Sequence, residues 1–181
     1  LGVDIKLNTK VGLDDPCLVN ADEIFVATGS VPFVPNIEGK DNKKVIDVTA
    51  AHVNGVEGQK VVICGGGLSG WDKDVTIVEM LDACARDVMP INKISLDRML
   101  AEYKVNILTS TKVVGITDEG VKVEKADGTT EVIPADNVIT AFGQRPNHTL
   151  ADAIADKYPL KTTLIGDCQK TSKAGNAIRE G

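Results

Sequence analysis

The chain has 181 residues, enough for one ordinary domain or two small ones, and its 43% hydrophobic and 25% charged residues are a soluble globular balance. A net charge of -6 with no run of Lys and Arg argues against nucleic acid or another polyanion as partner. No stretch approaches the roughly 18 consecutive apolar residues of a spanning helix, and the first residues have no signal-peptide pattern, so no membrane association and a cytoplasmic location are expected.

Along the chain, residues Val3–Val11 and Glu23–Ala27 read as strands, the second a short apolar run that stops at Thr28-Gly29-Ser30. Two prolines in SVPFVPNIEG make the next piece a stiff connector and a domain boundary. Asp47–Val53 is a short helix that leads through Gly55 and Gly58 to the strand Lys60–Cys64. A second strand, Asp74–Val78, follows. Between Ile94 and Tyr103 the residues Leu96, Met99, Leu100 and Tyr103 recur at helical spacing, with Ser95 as N-cap and Ile94 against Met99 at the first turn. Lys104–Leu108 is a strand, and Thr111–Pro134 alternates as a three-stranded antiparallel meander with Asp127-Gly128 as a two-residue turn. Asn137–Ala141 and Thr163–Ile165 are the last strands, and Ala174–Glu180 starts a helix.

The cysteines at 17, 64, 84 and 168 are too far apart for a CxxC redox pair or a local metal site and read as small, semi-buried thiols. His52 falls in a helix and His148 follows a Pro-Asn turn, so surface or capping roles are expected, with no metal ligands.

Three strands, FVATG, VITAFG and TLIGD, each end at a glycine. In an open parallel sheet, ligands lie beyond the carboxyl ends of the strands, where a glycine lets backbone approach a phosphate or a ring. The stretch VVICGGGLSG places a G-x-G-x-x-G fingerprint directly after a strand. Gly65 permits the tight turn, Gly67 the approach of a pyrophosphate and Gly70 close packing, with Leu68 and Ser69 between them. Glu79, closing the next strand, is the acid expected on a ribose 2′-hydroxyl, a charge that favours NADH over NADPH. One feature conflicts with this pattern. Only Trp71, Asp72 and Lys73 stand between Gly70 and the next strand, whereas a parallel crossover needs about a dozen residues. Either the stretch is an antiparallel hairpin that mimics the fingerprint, or a crossover helix of the natural protein is missing from this sequence; the spacing of the third glycine and the terminal acid favours the second.

The ordered motifs FVATGSVP, VVICGGGLSG, VTIVEM, VITAFGQRPN and LIGD resemble those of the two-dinucleotide-binding-domain flavoprotein reductases. More closely, they are similar to the C-terminal portion of the 2-enoate reductase and 2,4-dienoyl-CoA reductase group of NADH:flavin oxidoreductases. The resemblance implies an α/β fold in which a Rossmann-like NAD(P)H domain with a β-meander, residues 31–134, is inserted into a partial FAD-binding three-layer domain, residues 1–30 and 135–181. It implies that Ala27, Thr28 and Gly29 lie near FAD, that Gly166 and Asp167 hold its ribityl or pyrophosphate part, that Gly143 lies on the nicotinamide side, and that Val11 touches the adenine. NADH would pass hydride to FAD, while FMN and an iron–sulfur cluster belong to an N-terminal barrel of the parent chain that reduces an activated C=C bond.

By this resemblance the chain is a fragment, not competent alone, with no acid–base catalyst among its residues and with homo-oligomerisation left open. The lack of a CxxC pair argues against disulfide reduction. Asp167 also reads as a helix N-cap. Two alternatives stand beside this reading: a free-standing NADH oxidase or ferredoxin-type reductase, and a non-catalytic nucleotide-binding module.

Overall fold

The structure is a computed structural model that describes residues 2–65, 73–86 and 88–172. In chain order it opens with helix α1 (Pro16–Val19) and strands β1 (Ile24–Val26) and β2 (Ser30–Pro32). There follow β3 (Val45–Asp47), α2 (Val48–Asn54), β4 (Lys60–Cys64), β5 (Asp74–Val78), α3 (Pro90–Glu102) and β6 (Asn106–Leu108). Then come β7 (Thr111–Ile116), β8 (Gly120–Lys125), β9 (Thr130–Pro134) and β10 (Asn137–Thr140). The chain finishes with β11 (Gln144–Pro146), α4 (His148–Lys157), β12 (Thr162–Leu164) and a single 3-10 turn, Gly166–Cys168. Pro32–Gly143 form one compact unit, and residues 2–31 with 144–172 form another.

The unit Pro32–Gly143 is built on a five-stranded parallel sheet in the order β3-β10-β4-β5-β6. Its central strands are covered on both faces, which is why VVIC and VTIV are continuous apolar runs rather than alternating ones. Val61, Ile63, Val75 and Ile77 point to one face with Ala51 of α2 and Leu96 and Leu100 of α3. Val62, Cys64 and Val78 point to the other, against Val113, Ile116, Val121 and Val123 of the β7-β8-β9 meander. The α/β class, with a Rossmann-like parallel sheet and a meander, is the one read from the sequence. The second change of unit comes at Gly143, not at 134/135, because β10 hydrogen-bonds between β3 and β4 at the middle of this sheet.

β4 and β5 are parallel, in register from Lys60 opposite Asp74 to Cys64 opposite Val78, and this excludes the hairpin. The nine residues from Gly65 to Lys73 that join the two parallel strands are fewer than the roughly dozen of an ordinary crossover. Residues 66–72 of that connection lie outside the described residues.

Other expectations need correction. Residues 3–11 form no strand; Val3, Ile5 and Leu7 are exposed, with no neighbouring strand to take their backbone groups. α3 begins at Pro90, five residues before Ser95, with Met89 at the N-cap and no side-chain cap; proline at the first helical position needs no N–H partner. Leu96 and Leu100 are buried there, but Met99 and Tyr103 are 40% and 46% exposed. The β8–β9 turn has three residues, since Lys125 N–H donates to Thr129 O and Gly128 N–H to Lys125 O, with Gly128 at φ +80°. α2 matches its expected position, capped by Asp47 Oδ1, which accepts from Thr49 N–H and Ala50 N–H. The helix expected at 174–180 lies outside the described residues.

In the other unit β1 and β12 pair in parallel, and Ile24 and Val26 pack with Leu18 of α1 and Ala151 and Ile154 of α4. The ammonium of Lys161 donates to the carbonyls of Leu18 and Val19 at the end of α1 and of Ala21 just past it, and lies 4.9 Å from the Tyr158 ring centroid. No described helix is long and apolar enough to cross a membrane.

Candidate functional site

In the unit Pro32–Gly143 a cavity of about 500 Å³ opens at the carboxyl ends of β4, β5 and β10. Gly65, Val78 to Leu81, and Ala141 with Phe142 form its floor. Phe33, Pro35 and Ile37 of the proline-stiffened connector and Thr111 to Val113 of β7 form its walls. A cavity of this size and apolar character suits the flat rings of a nucleotide. In the sheet order, β4 is the strand from which the chain builds outward to β5 and β6 before returning to β10 on its other side, so the cavity sits by a topological switch point.

Gly65 is fixed here by sterics as well as torsion. Its φ is +108°, and a Cβ would stand 2.3 Å from the Ala141 carbonyl oxygen. Its N–H donates to Val78 O at 2.8 Å, while Ala141 N–H donates to Cys64 O at 2.9 Å. Glu79 lies one residue past β5, its N–H donating to Leu108 O and its O accepting from Thr111 N–H. Its side-chain Oε1 accepts from Leu81 N–H at 2.9 Å, so the carboxylate is held at the cavity wall with lone pairs left for further donors. Gly65 and Glu79 are thus brought to one cavity. Gly67, Leu68, Ser69 and Gly70 lie outside the described residues. Gly143, at φ +103°, follows Phe142 and accepts at its carbonyl from Phe33 N–H, next to the cavity lining but not part of it.

Near this corner Cys84 is partly buried; burial first, then the Glu79 charge, pushes its thiol up, with Asp97 adding and Lys93 opposing. It is a protonated thiol rather than a nucleophile. Cys64, buried under the same sheet, is pushed up to about 12 by burial.

In the other unit, β1 and β12 end side by side, and Ile165 N–H continues the pairing to Val26 O. This brings Ala27, Thr28 and Gly29 beside Gly166 and Asp167. Thr28 Oγ1 donates to Asn147 O at 2.9 Å, and Asn147 N–H donates to Gly29 O. Asp167 is not an N-cap: Ile165 takes that position, and the Asp167 carboxylate accepts from Ser30 Oγ at 3.2 Å and from Ser172 N–H at 3.1 Å. Val11 is packed against the Leu18, Ile24 and Val26 core. His148 pairs with Asp152 at 2.8 Å on the outer face of α4, a surface role.

The Cβ exclusion at Gly65 lets the backbone after β4 approach the Ala141 carbonyl. The apolar cavity with the Glu79 carboxylate in its lining fits the rings and ribose of a nucleotide. Beside Asp167, the buried Ser172 Oγ has no hydrogen-bond partner among the described residues. Sequence reasoning missed Ser30, the connector residues Phe33 to Ile37 and the meander residues Thr111 to Val113; no local pattern marks them, since they reach these sites only through folding.

The family model for pyridine nucleotide-disulphide oxidoreductases matches residues 2–174. The chain belongs to this family. Among curated proteins it is 30% identical over 192 residues to a bilirubin reductase of Mediterraneibacter gnavus, covering 100% of this chain and 30% of that protein. It is 33% identical over 191 residues to a cinnamate reductase of Clostridium sporogenes, covering 98% of this chain and 28% of that protein. A solved complex of 2-naphthoyl-CoA reductase with 2-naphthoyl-CoA superposes with a TM-score of 0.87 and 33% identity, over 99% of this chain and 29% of that one. The chain thus spans about 30% of the length of the curated relatives it matches.

Proposed function

We propose that this chain is the nucleotide-binding part of an NADH-dependent flavoprotein whose parent enzyme reduces a C=C bond conjugated to a carbonyl. The observation that carries the NADH part is the cavity at the strand ends with Gly65 at its floor and the Glu79 carboxylate held at its wall. Gly65 and Glu79, together with Gly67, Leu68, Ser69, Gly70 and Gly143 of the sequence pattern, would hold NADH. Ala27, Thr28, Gly29, Gly166 and Asp167 would hold FAD, with Val11 near its adenine. Nicotinamide and flavin rings supply the hydride chemistry when bound; the protein binds them, orients them and excludes water. No side chain here is assigned an acid–base role, because the substrate site would belong to an N-terminal barrel of the parent, together with FMN and an iron–sulfur cluster. The likeness to the cinnamate and 2-naphthoyl-CoA reductases supports the C=C substrate class.

The test is calorimetric titration of the chain with NADH and NADPH, for the native protein and Glu79→Gln. Native protein should prefer NADH, and Glu79→Gln should weaken NADH about tenfold while narrowing the gap to NADPH. Equal affinities in the native protein would sink the Glu79 assignment. A second reading, a free-standing NADH oxidase, draws on a 30% identical NADH oxidase of Thermoanaerobacter brockii. Anaerobic NADH consumption by the parent enzyme that requires an α,β-unsaturated acid or thioester favours the first reading; consumption that requires oxygen alone favours the second.

A further inference from the structure

We propose that Asn54, at the end of α2, is a site of spontaneous covalent modification: the main-chain nitrogen of Gly55 closes on the Asn54 side-chain amide, ammonia leaves, and water opens the ring to a carboxylate. Asn54 is the one asparagine of the chain that a glycine follows, and glycine leaves the attacking nitrogen uncrowded. The step needs no reactant besides water. The Gly55 N–H gives its proton to base and its nitrogen bonds to Asn54 Cγ, while the bond from Cγ to the side-chain nitrogen breaks and that nitrogen departs as ammonia. Water then adds to one carbonyl of the cyclic imide to give aspartate, or to the other to give isoaspartate, in which the side-chain methylene has joined the main chain.

The local structure favours the reaction at this place. Asn54 and Gly55 are both exposed, and a Cβ on Gly55 would meet nothing within 4 Å. The residues after α1, α3 and α4 each donate their N–H back into the helix, Asn20 to Pro16 O, Tyr103 to Met99 O and Tyr158 to Ile154 O. Gly55 N–H, by contrast, is in ordinary hydrogen-bond geometry with no carbonyl among the described residues, and at φ +72° and ψ -172° Gly55 has already left the helical path. The attacking nitrogen is therefore free to turn. Elsewhere the side-chain amides of Asn42, Asn137 and Asn147 donate to Asp118, Glu57 O and Thr28 O.

Asp127-Gly128 is the informative contrast, because an aspartate before glycine can form the same imide with loss of water. There Gly128 N–H donates to Lys125 O at 2.9 Å. The hydroxyl and N–H of Thr129 hold the Asp127 carboxyl below its ordinary pKa, and an ionised carboxylate is a poor electrophile. The structure thus separates two pairs that the sequence presents alike. At Asn54 the product also matters: a carboxylate there meets the negative end of the α2 dipole. Isoaspartate further lengthens the main chain ahead of a loop pinned by Asn137 at Glu57 O and by Asp136 at the N–H groups of Gln59 and Lys60.

The test is incubation of the full folded chain in mildly alkaline heavy-oxygen water, followed by mass mapping of its peptides. Label should enter the peptide that carries Asn54 and Gly55 at a rate within about tenfold of the same segment as a free peptide, because opening the last turn of a helix costs little. The Asp127-Gly128 peptide should stay unlabelled. Asn54→Gln, whose longer side chain would need a larger ring, should take up no label at that place. A folded chain whose Asn54 peptide stays unlabelled, or labels more than about a hundredfold more slowly than the free peptide, overturns the proposal. Equal labelling at Asp127-Gly128 removes the role given to the free Gly55 N–H, and label that persists in Asn54→Gln removes the imide route; either result overturns the proposal as well.

Discussion

Asp136 shows how much one exposed carboxylate organises. Its Oδ2 accepts from the N–H groups of both Gln59 and Lys60, which fixes the start of β4, and a Cβ on Gly58 would stand 2.6 Å from Asp136 Cβ. The Lys60 N–H and then the Gln59 N–H hold its pKa below the ordinary carboxylate value, with Lys44 and Lys60 charges assisting. Because the folded-state pKa is depressed, this contribution to stability is present above the unfolded pKa of about 4 and is lost as the pH falls through the folded value. Urea midpoints of the native chain should therefore hold from neutral pH to about pH 4 and drop below it. Asp136→Asn should start lower and lose less over the same acid range; an identical acid slope would remove Asp136 from the account. The same residue scale separates Gly65 from Gly128. Both have positive φ, but only Gly65 would also drive a Cβ into backbone, at Ala141.

At the scale of elements, the short helix α1 shows how a marginal piece is held. Four residues cannot support a helix by their own hydrogen bonds, since nucleation is unfavourable. Asp15 Oδ1 caps its start by accepting from Cys17 N–H, and Lys161 binds three carbonyls at and beyond its end. Replacing Lys161 with Met keeps the stem and removes the donors, so it should cost about 1–3 kcal/mol in urea unfolding. A loss under a few tenths would show that water serves those carbonyls as well. The helices also separate what was legible from what was not. α2 could be read from Asp47 and a short apolar run. α4 was not read, although Asn147 stands before it and Ala151 and Ile154 make one buried face; a pair of small and branched residues three apart is too brief a period to separate from a loop. α3 was read from its second half, because Leu96 and Leu100 carry the periodicity while its first turns are exposed at Ile91 and Ile94.

For the whole molecule, burial should set local stability. β4 and β10 lie inside the five-stranded sheet with side chains at 0–2% exposure from Val61 to Cys64 and from Val138 to Thr140, whereas residues 3–7 carry exposed Val, Ile and Leu side chains and no ladder. Hydrogen exchange should show the slowest amides in β4 and β10 and the fastest in residues 2–8. Strong protection in residues 2–8 would mean that they are paired in solution. By itself the sequence determined the short apolar strands that stop at glycines, the meander, the short helix near Asp47 and the place of Gly65 and Glu79 at the ends of neighbouring strands. These are local signals, written within about ten residues by torsional preference and side-chain period. Only the tertiary structure decided that β4 and β5 run parallel, that residues 3–11 form no strand, that the proline connector and β7 wall the cavity, and that Ser30 meets Asp167. Strand direction and hydrogen-bond partners distant in sequence are chosen by which apolar faces can be buried together, and that choice is made by the folded chain as a whole.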